Sequence, residues 1–167
     1  SSMISRIVRL TFISLIILFI VVTGVSLLFP STVIVSRAVN INASPDSITT
    51  HINNIFKWKD WVEGMNAPTV HIFSETEADL NQTKVVIGSL GKDVVHSFWQ
   101  NKKGKWMTSA IHLYHDSSHP ETVVQWQFEQ KLKWYPWEKF ASLLNDKILG
   151  TMMEKNLDNL KKLMEKN

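Results

Sequence analysis

The 167-residue chain has no cysteine, which excludes disulfides, thiolate nucleophiles and cysteine-ligated zinc. Charge of one sign is also lacking: 18 Lys and Arg stand against 15 Asp and Glu, mixed along the chain. A nucleic-acid footprint needs a basic face, so no such partner is expected. Glycine is scarce, at six residues, and no glycine-rich run opens a helix. Ser89-Leu90-Gly91-Lys92 therefore reads as a hairpin turn and not a phosphate loop. Internal repeats, low-complexity segments and cofactor motifs are all missing, and no cofactor is expected.

Long hydrophobic runs are few as well, because there is only one. Leu10 to Phe29 carries no charge over about twenty residues, the length that crosses a bilayer core as a helix. Arg6 and Arg9 precede it and Pro30 stops it. The run divides the chain into a tail and transmembrane helix, residues 1–30, and one domain, residues 31–167. A cleaved secretory signal is the alternative, with Val22-Thr23-Gly24 as a small-residue cleavage site and a secreted product. The run continues through Val25, Leu27, Leu28 and Phe29, longer than a usual signal core, which favours the anchor. Two arginines before the span, with only Arg37 close behind it, place the N-terminus in the cytoplasm and the domain outside.

All seven Trp lie beyond that run, so the domain has the means to bury a core. Thr32 to Ile41 is β-branched, with Val33, Val35, Val39 and Ile41 on one face of a predicted strand. Ser44-Pro45-Asp46 then starts a helix: Ser44 as N-cap, Pro45 at the first helical position, Asp46 favourable in the first turn. Ile48, Ile52 and Ile55 should point inward, and a second short helix or turn holds Trp58 and Trp61 and closes near Gly64.

Five more strands are predicted: Thr69 to Ser74, Thr83 to Ser89, Asp93 to Gln100, Lys105 to His115 and Thr122 to Lys133. Turn residues separate them at Asn81-Gln82, Leu90-Gly91-Lys92, Lys103-Gly104 and Ser117 to Pro120. Short gaps imply an antiparallel meander. In the last strand Val124, Trp126, Phe128 and Leu132 share the buried face. From Pro136 the period becomes helical, with an apolar stripe of Trp137, Phe140, Leu144, Ile148, Met153, Leu157, Leu160 and Met164. Gly150 is a possible kink. Asp158 with Lys162, and Lys161 with Glu165, are spaced for surface ion pairs.

VSRAVNINASPDSITTHINNIFKWKDW resembles the opening of polyketide-cyclase-like members of the START/SRPBCC superfamily, where a strand feeds a helix and then a tryptophan pair. TVVQWQFEQKLKWYPWEKF followed by DKILGTMMEKNLDNLKKLME is similar to that family's last strand and closing helix. The resemblance covers essentially the whole domain, and its motifs are structural. It implies an α+β helix-grip fold: a curved antiparallel sheet wrapped around a long C-terminal helix, with a cavity that accepts hydrophobic ligands. Only six strands are legible against the family's usual seven. The stretch from Gly64 to Lys84 is short, so a missing or reduced hairpin is expected there.

Under that resemblance the cavity lining is Met107, Ile111, Leu113, Val124, Trp126 and Phe128 of the strands, facing Phe140, Leu144 and Met153 of the helix. The same residues could equally form a filled core. Trp58 and Trp61 read as core plugs. Two sets of polar residues fit chemistry less well. His112, His115 and His119 cluster in sequence, but His112 and His115 fall on opposite faces of a strand, so no metal site is expected. Glu75, Glu77 and Asp79 sit in what reads as a loop, where carboxylates are usually solvated, and no nucleophile or dyad spacing accompanies them.

Only Pro30 and Ser31 separate the apolar run from the first strand, a reach of at most about 10 Å. In the grip topology that the resemblance implies, the end of the last strand lies beside that start, so Trp134, Tyr135 and Trp137, flanked by Lys131, Lys133 and Lys139, are candidates for the membrane interface. Trp134 and Trp137 packed under the helix start is the alternative. Three functions fit: a membrane-anchored, non-catalytic binding domain for a hydrophobic small molecule or lipid; a cyclase- or hydrolase-like enzyme; and an interaction or structural protein with a filled core. The bilayer itself is the one firm expected partner.

Overall fold

The computed structural model describes residues 2–28, 32–132 and 136–166, with the side chains of 137–145 excepted. The chain forms two compact units, Ser1–Val33 with Lys131–Asn145, and Ile34–Gln130 with Asp146–Asn167. In the first, α1 (Ser2–Ser26) is a single helix long and apolar enough to cross a membrane. Its apolar side chains, from Ile4 to Val25, are exposed apart from the half-buried Val22. The helix begins well before Leu10 and takes in Arg6 and Arg9. It gives way to a turn at Leu27 and Leu28, while Phe29 and Pro30 lie outside the described residues.

The second unit holds, but for Thr32, Val33 and Lys131, an antiparallel sheet of β1 (Thr32–Ile41), β2 (Val70–Ile72), β3 (Glu77–Leu80), β4 (Thr83–Gly91), β5 (Val94–Gln100), β6 (Trp106–His115) and β7 (Thr122–Lys131). The strand order is β1-β7-β6-β5-β4-β3-β2, so only β1 leaves sequence order, to lie beside β7. Between β1 and β2 stand α2 (Pro45–Ile52) and a 3₁₀ turn, Ile55–Asp60. α3 (Pro136–Glu165) closes the chain.

The expectation for α2 is met in detail. The Ser44 hydroxyl accepts from the N–H of Ser47, Pro45 opens the helix, and Ile48, Ile52 and Ile55 are fully buried.

The sheet has seven strands where six were legible. The additional one is β3, which corrects the placing of Glu77 and Asp79 in a loop. Ala78 is fully buried, while Glu77 faces outward to meet Lys84 at 3.4 Å. Alternation of acid and apolar residue is what a half-buried strand requires. Asn81 and Gln82, with φ of 55° and 72°, form the tight turn into β4. The next turn also shifts: β4 runs on to Gly91 and the hairpin closes at Lys92 and Asp93, Asp93 having φ 60°. A register shift between Ile87 and Leu90 absorbs the extra length.

On α3, Met153, Leu157 and Leu160 are buried, and Met164 is half-buried. Ile148, expected on the same stripe, is exposed. The buried row runs Gly150, Met153, Leu157, Leu160, so a residue without a side chain takes the inward place before Met153. Both surface pairs form, Asp158–Lys162 at 3.0 Å and Lys161–Glu165 at 3.5 Å.

Candidate functional site: the inner face of the sheet

Alternation along the strands sets one inward row across three of them. Val95, Ser97 and Trp99 of β5 pair with Ile111, Ser109 and Met107 of β6. Ile111, Leu113 and Ser109 in turn pair with Trp126, Val124 and Phe128 of β7. Of the predicted lining, Ile111, Leu113, Val124, Trp126 and Phe128 therefore share one inward face, and Met153 of α3 is buried as well, each no more than 5% exposed. Met107, at the end of the row, is half-buried. The side chains of Phe140 and Leu144 lie outside the described residues.

Five aromatic rings close a circle inside this face. Trp58 stacks on Trp99 with centroids 5.9 Å apart and meets Trp61 edge-on at 6.0 Å. Trp61 meets Trp126 at 5.8 Å, Trp126 meets Phe128 at 5.3 Å, and Phe128 returns to Trp99 at 5.3 Å. Most of these contacts are edge-on or offset, the arrangements that ring quadrupoles favour.

Each indole N–H also has an acceptor. Trp58 and Trp61 donate to the carbonyls of Ile52 and His51, and Trp99 and Trp126 to the hydroxyls of Ser97 and Ser109. The two buried serines thus exist to satisfy two buried indoles. Trp58 and Trp61 are core plugs, as read from sequence. Trp99 was not singled out there; its inward parity with Ser97 in the alternating β5 run was the available clue.

α3 holds the segment after the 3₁₀ turn by its backbone. Asn156, 1% exposed, accepts from the N–H of Glu63 at 3.1 Å, and Asn159 donates to the carbonyl of Trp61 at 3.2 Å. Two hollows flank this segment, of about 240 and 260 Å³, and share Glu63, Gly64 and Ala67. Neither is lined by a predicted cavity residue, and both fall short of the roughly 300 Å³ at which small-molecule sites begin.

His112 lies on the outer face, stacked on Tyr114 and edge-on to His96, whereas His115 meets Thr122 at 3.2 Å. Among the described residues no group of three or more His, Asp or Glu is placed to hold a metal. Asp79 accepts from the N–H of Gln82 at 2.8 Å, which fixes the β3–β4 turn. Asp116, in the β6–β7 loop, is held below its ordinary 3.8, first by the N–H of Ser118 and then by the Ser118 hydroxyl, with the charge of His115 adding to it. Trp134 and Tyr135 lie outside the described residues, as does the side chain of Trp137.

No family model matches the chain, and no curated protein does. Solved structures do. A START superfamily protein from Mycobacterium smegmatis superposes with a TM-score of 0.59 at 12% identity, over 79% of this chain and 97% of that one. The fold is the helix grip. A protein from Nitrosospira multiformis gives 0.61 at 10% identity over 80% and 97% of the two chains. The di-domain ARO/CYC BexL gives 0.61 at 12% identity, over 82% of this chain and 51% of BexL. The expected resemblance to START and cyclase-like proteins thus holds at the level of fold, and β3 supplies the strand that the sequence reading left out. In this helix grip the inner face is apolar apart from a few hydrogen-bonded hydroxyls, and aromatic rings occupy its centre.

Proposed function

We propose that the chain is a membrane-anchored, non-catalytic binding domain for a hydrophobic small molecule or lipid, held by α1 with its N-terminus in the cytoplasm and its domain outside. The observation that carries this reading is the inward row of β6 and β7. It is apolar along its length apart from Ser109 and Thr122, whose hydroxyls are engaged with Trp126 and the Ala43 carbonyl, and it ends in the half-buried Met107. An apolar surface on a grip fold takes up an apolar ligand by removing it from water. The non-catalytic part draws on the buried polar side chains of the second unit, Ser97, Ser109, Thr122 and Asn156, none of which titrates near neutrality. Each of them is hydrogen-bonded.

The aromatic circle favours a second reading, an interaction protein whose grip is filled by its own side chains. Extraction separates the two. Full-length protein purified in detergent and extracted with organic solvent should release a lipid or other apolar compound in stoichiometric amount. A preparation that folds, partitions with detergent and releases nothing supports the filled core.

A further inference from the structure

We propose that the β5–β6 hairpin is a second membrane contact, a basic tip that rests on anionic lipid headgroups. This rests on the anchored reading above. Residues 29–31 alone separate Leu28 from β1, and three residues span about 10 Å. Whatever angle the helix takes, the first residue of β1 is tethered close to the bilayer surface.

The sheet then determines what shares that end. Thr122 of β7 bonds the carbonyl of Ala43, while Gln125 bonds Ser36, so β7 runs antiparallel to β1 and Lys131 lies at the start of β1. Thr108 pairs with Glu129 and Gln100 with Trp106, which brings the β5–β6 tip to the same end. Lys84 pairs with Gln100 and lies there too. The tip stands two to three strands from β1, about 10–14 Å sideways.

The tip is built to hold its shape. The Asn101 carboxamide oxygen accepts from the N–H groups of Lys103 and Lys105, both at 3.0 Å, and Gly104 takes φ 81°. Lys102 and Lys103 project into solvent, as does Lys131, and none of the three makes an ion pair among the described residues. Trp106 beside them is 49% exposed, an indole placed as interfacial tryptophans are. The acids nearest this end are engaged: Glu77 with Lys84 and Asp79 with the turn N–H of Gln82. Glu129, on β7, is half-buried. The opposite end of the sheet carries Asp46, Asp93, Asp116 and Glu121 against Lys92, and the lysines that α3 brings there, Lys161 at the Asn40 carbonyl and Lys162, are paired with Glu165 and Asp158. Charge is therefore polarised along the strands, with the basic pole at the tether, which is the arrangement an anionic surface attracts.

The chain is cysteine-free, so T108C beside the tip and S117C at the far end can each carry a single fluorophore. Full-length protein is placed in nanodiscs of phosphatidylcholine, with or without phosphatidylglycerol, containing a headgroup-level quencher. With phosphatidylglycerol, quenching at position 108 should exceed that at 117 by about twofold or more, and should fall towards it in high salt or in a K102E/K103E variant. Equal quenching at both positions, with the chain retained in the disc, overturns the contact and leaves the anchor standing. Excess quenching at 108 that ignores lipid charge and salt also overturns it, since the tether alone then accounts for proximity. A chain that elutes apart from the disc removes the anchor, and the contact with it.

Discussion

The guanidinium of Arg37 occupies the space that a side chain at position 150 would fill. A Cβ added to Gly150 would lie 2.6 Å from Cζ of Arg37. From that seat the Arg37 Nε reaches Glu154, one turn along α3, at 2.8 Å, and Nη1 donates to the Ser36 carbonyl at 2.8 Å. Glycine here serves close approach of a strand residue to the closing helix, and the substitution of any larger residue must move Arg37 first.

That arrangement makes the sign of an alanine substitution depend on Arg37. Alanine is the better helix former by about 1 kcal/mol, but its methyl would displace the guanidinium and part a half-exposed ion pair worth at most about 1 kcal/mol. G150A should therefore be close to neutral in the native chain and stabilising by about 1 kcal/mol when R37A is already present. Urea denaturation of the four members of this double-mutant cycle measures the difference. Equal stabilisation in both backgrounds contradicts the seating of Arg37.

Ser109 provides a cleaner deletion. S109A strands the Trp126 N–H in a site where neither residue is more than 4% exposed, at a cost of about 1–3 kcal/mol. W126F removes that donor, so adding S109A to W126F should cost far less than S109A alone. Additive losses in thermal melts contradict the assigned hydrogen bond.

Asn156→Ala should loosen the segment that follows the 3₁₀ turn, because the Glu63 N–H loses its acceptor. The expected loss is about 1–3 kcal/mol, with amide exchange quickened at Glu63 before the sheet responds. Unchanged exchange at Glu63 contradicts the role given to Asn156.

Asp116 supplies a pH dependence. Its folded carboxyl titrates below 3.8, chiefly because the Ser118 N–H donates to the carboxylate. A depressed folded value means a contribution to stability present above the unfolded value and lost as pH falls through the folded one. Carboxyl NMR should place the Asp116 midpoint below 3.8; a midpoint at or above that value contradicts the loop geometry.

Most of the architecture was legible because periodicity reports burial directly. The alternating β7, the Ser44 cap and the three inward isoleucines carried their own patterns. β3 did not, since two of its four residues are acidic and one is a small alanine, which reads as loop until β4 is placed beside it. Ile148 misled for a related reason: Gly150 holds an inward position but adds no hydropathy, so the stripe was traced through a neighbour. The inward residues of β6 and β7 were legible from parity. The circle from Trp58 to Phe128 was not, because it joins residues from two strands and a turn that only the tertiary fold brings together.

Native mass spectrometry of the full-length chain beside M107W tests the central claim most directly, because position 107 ends the apolar row. The native chain should carry an adduct with the mass of a lipid or apolar metabolite, and M107W, equally folded by circular dichroism, should have lost most of it. Bare masses for both chains, or identical adducts on both, would contradict ligand binding at this face.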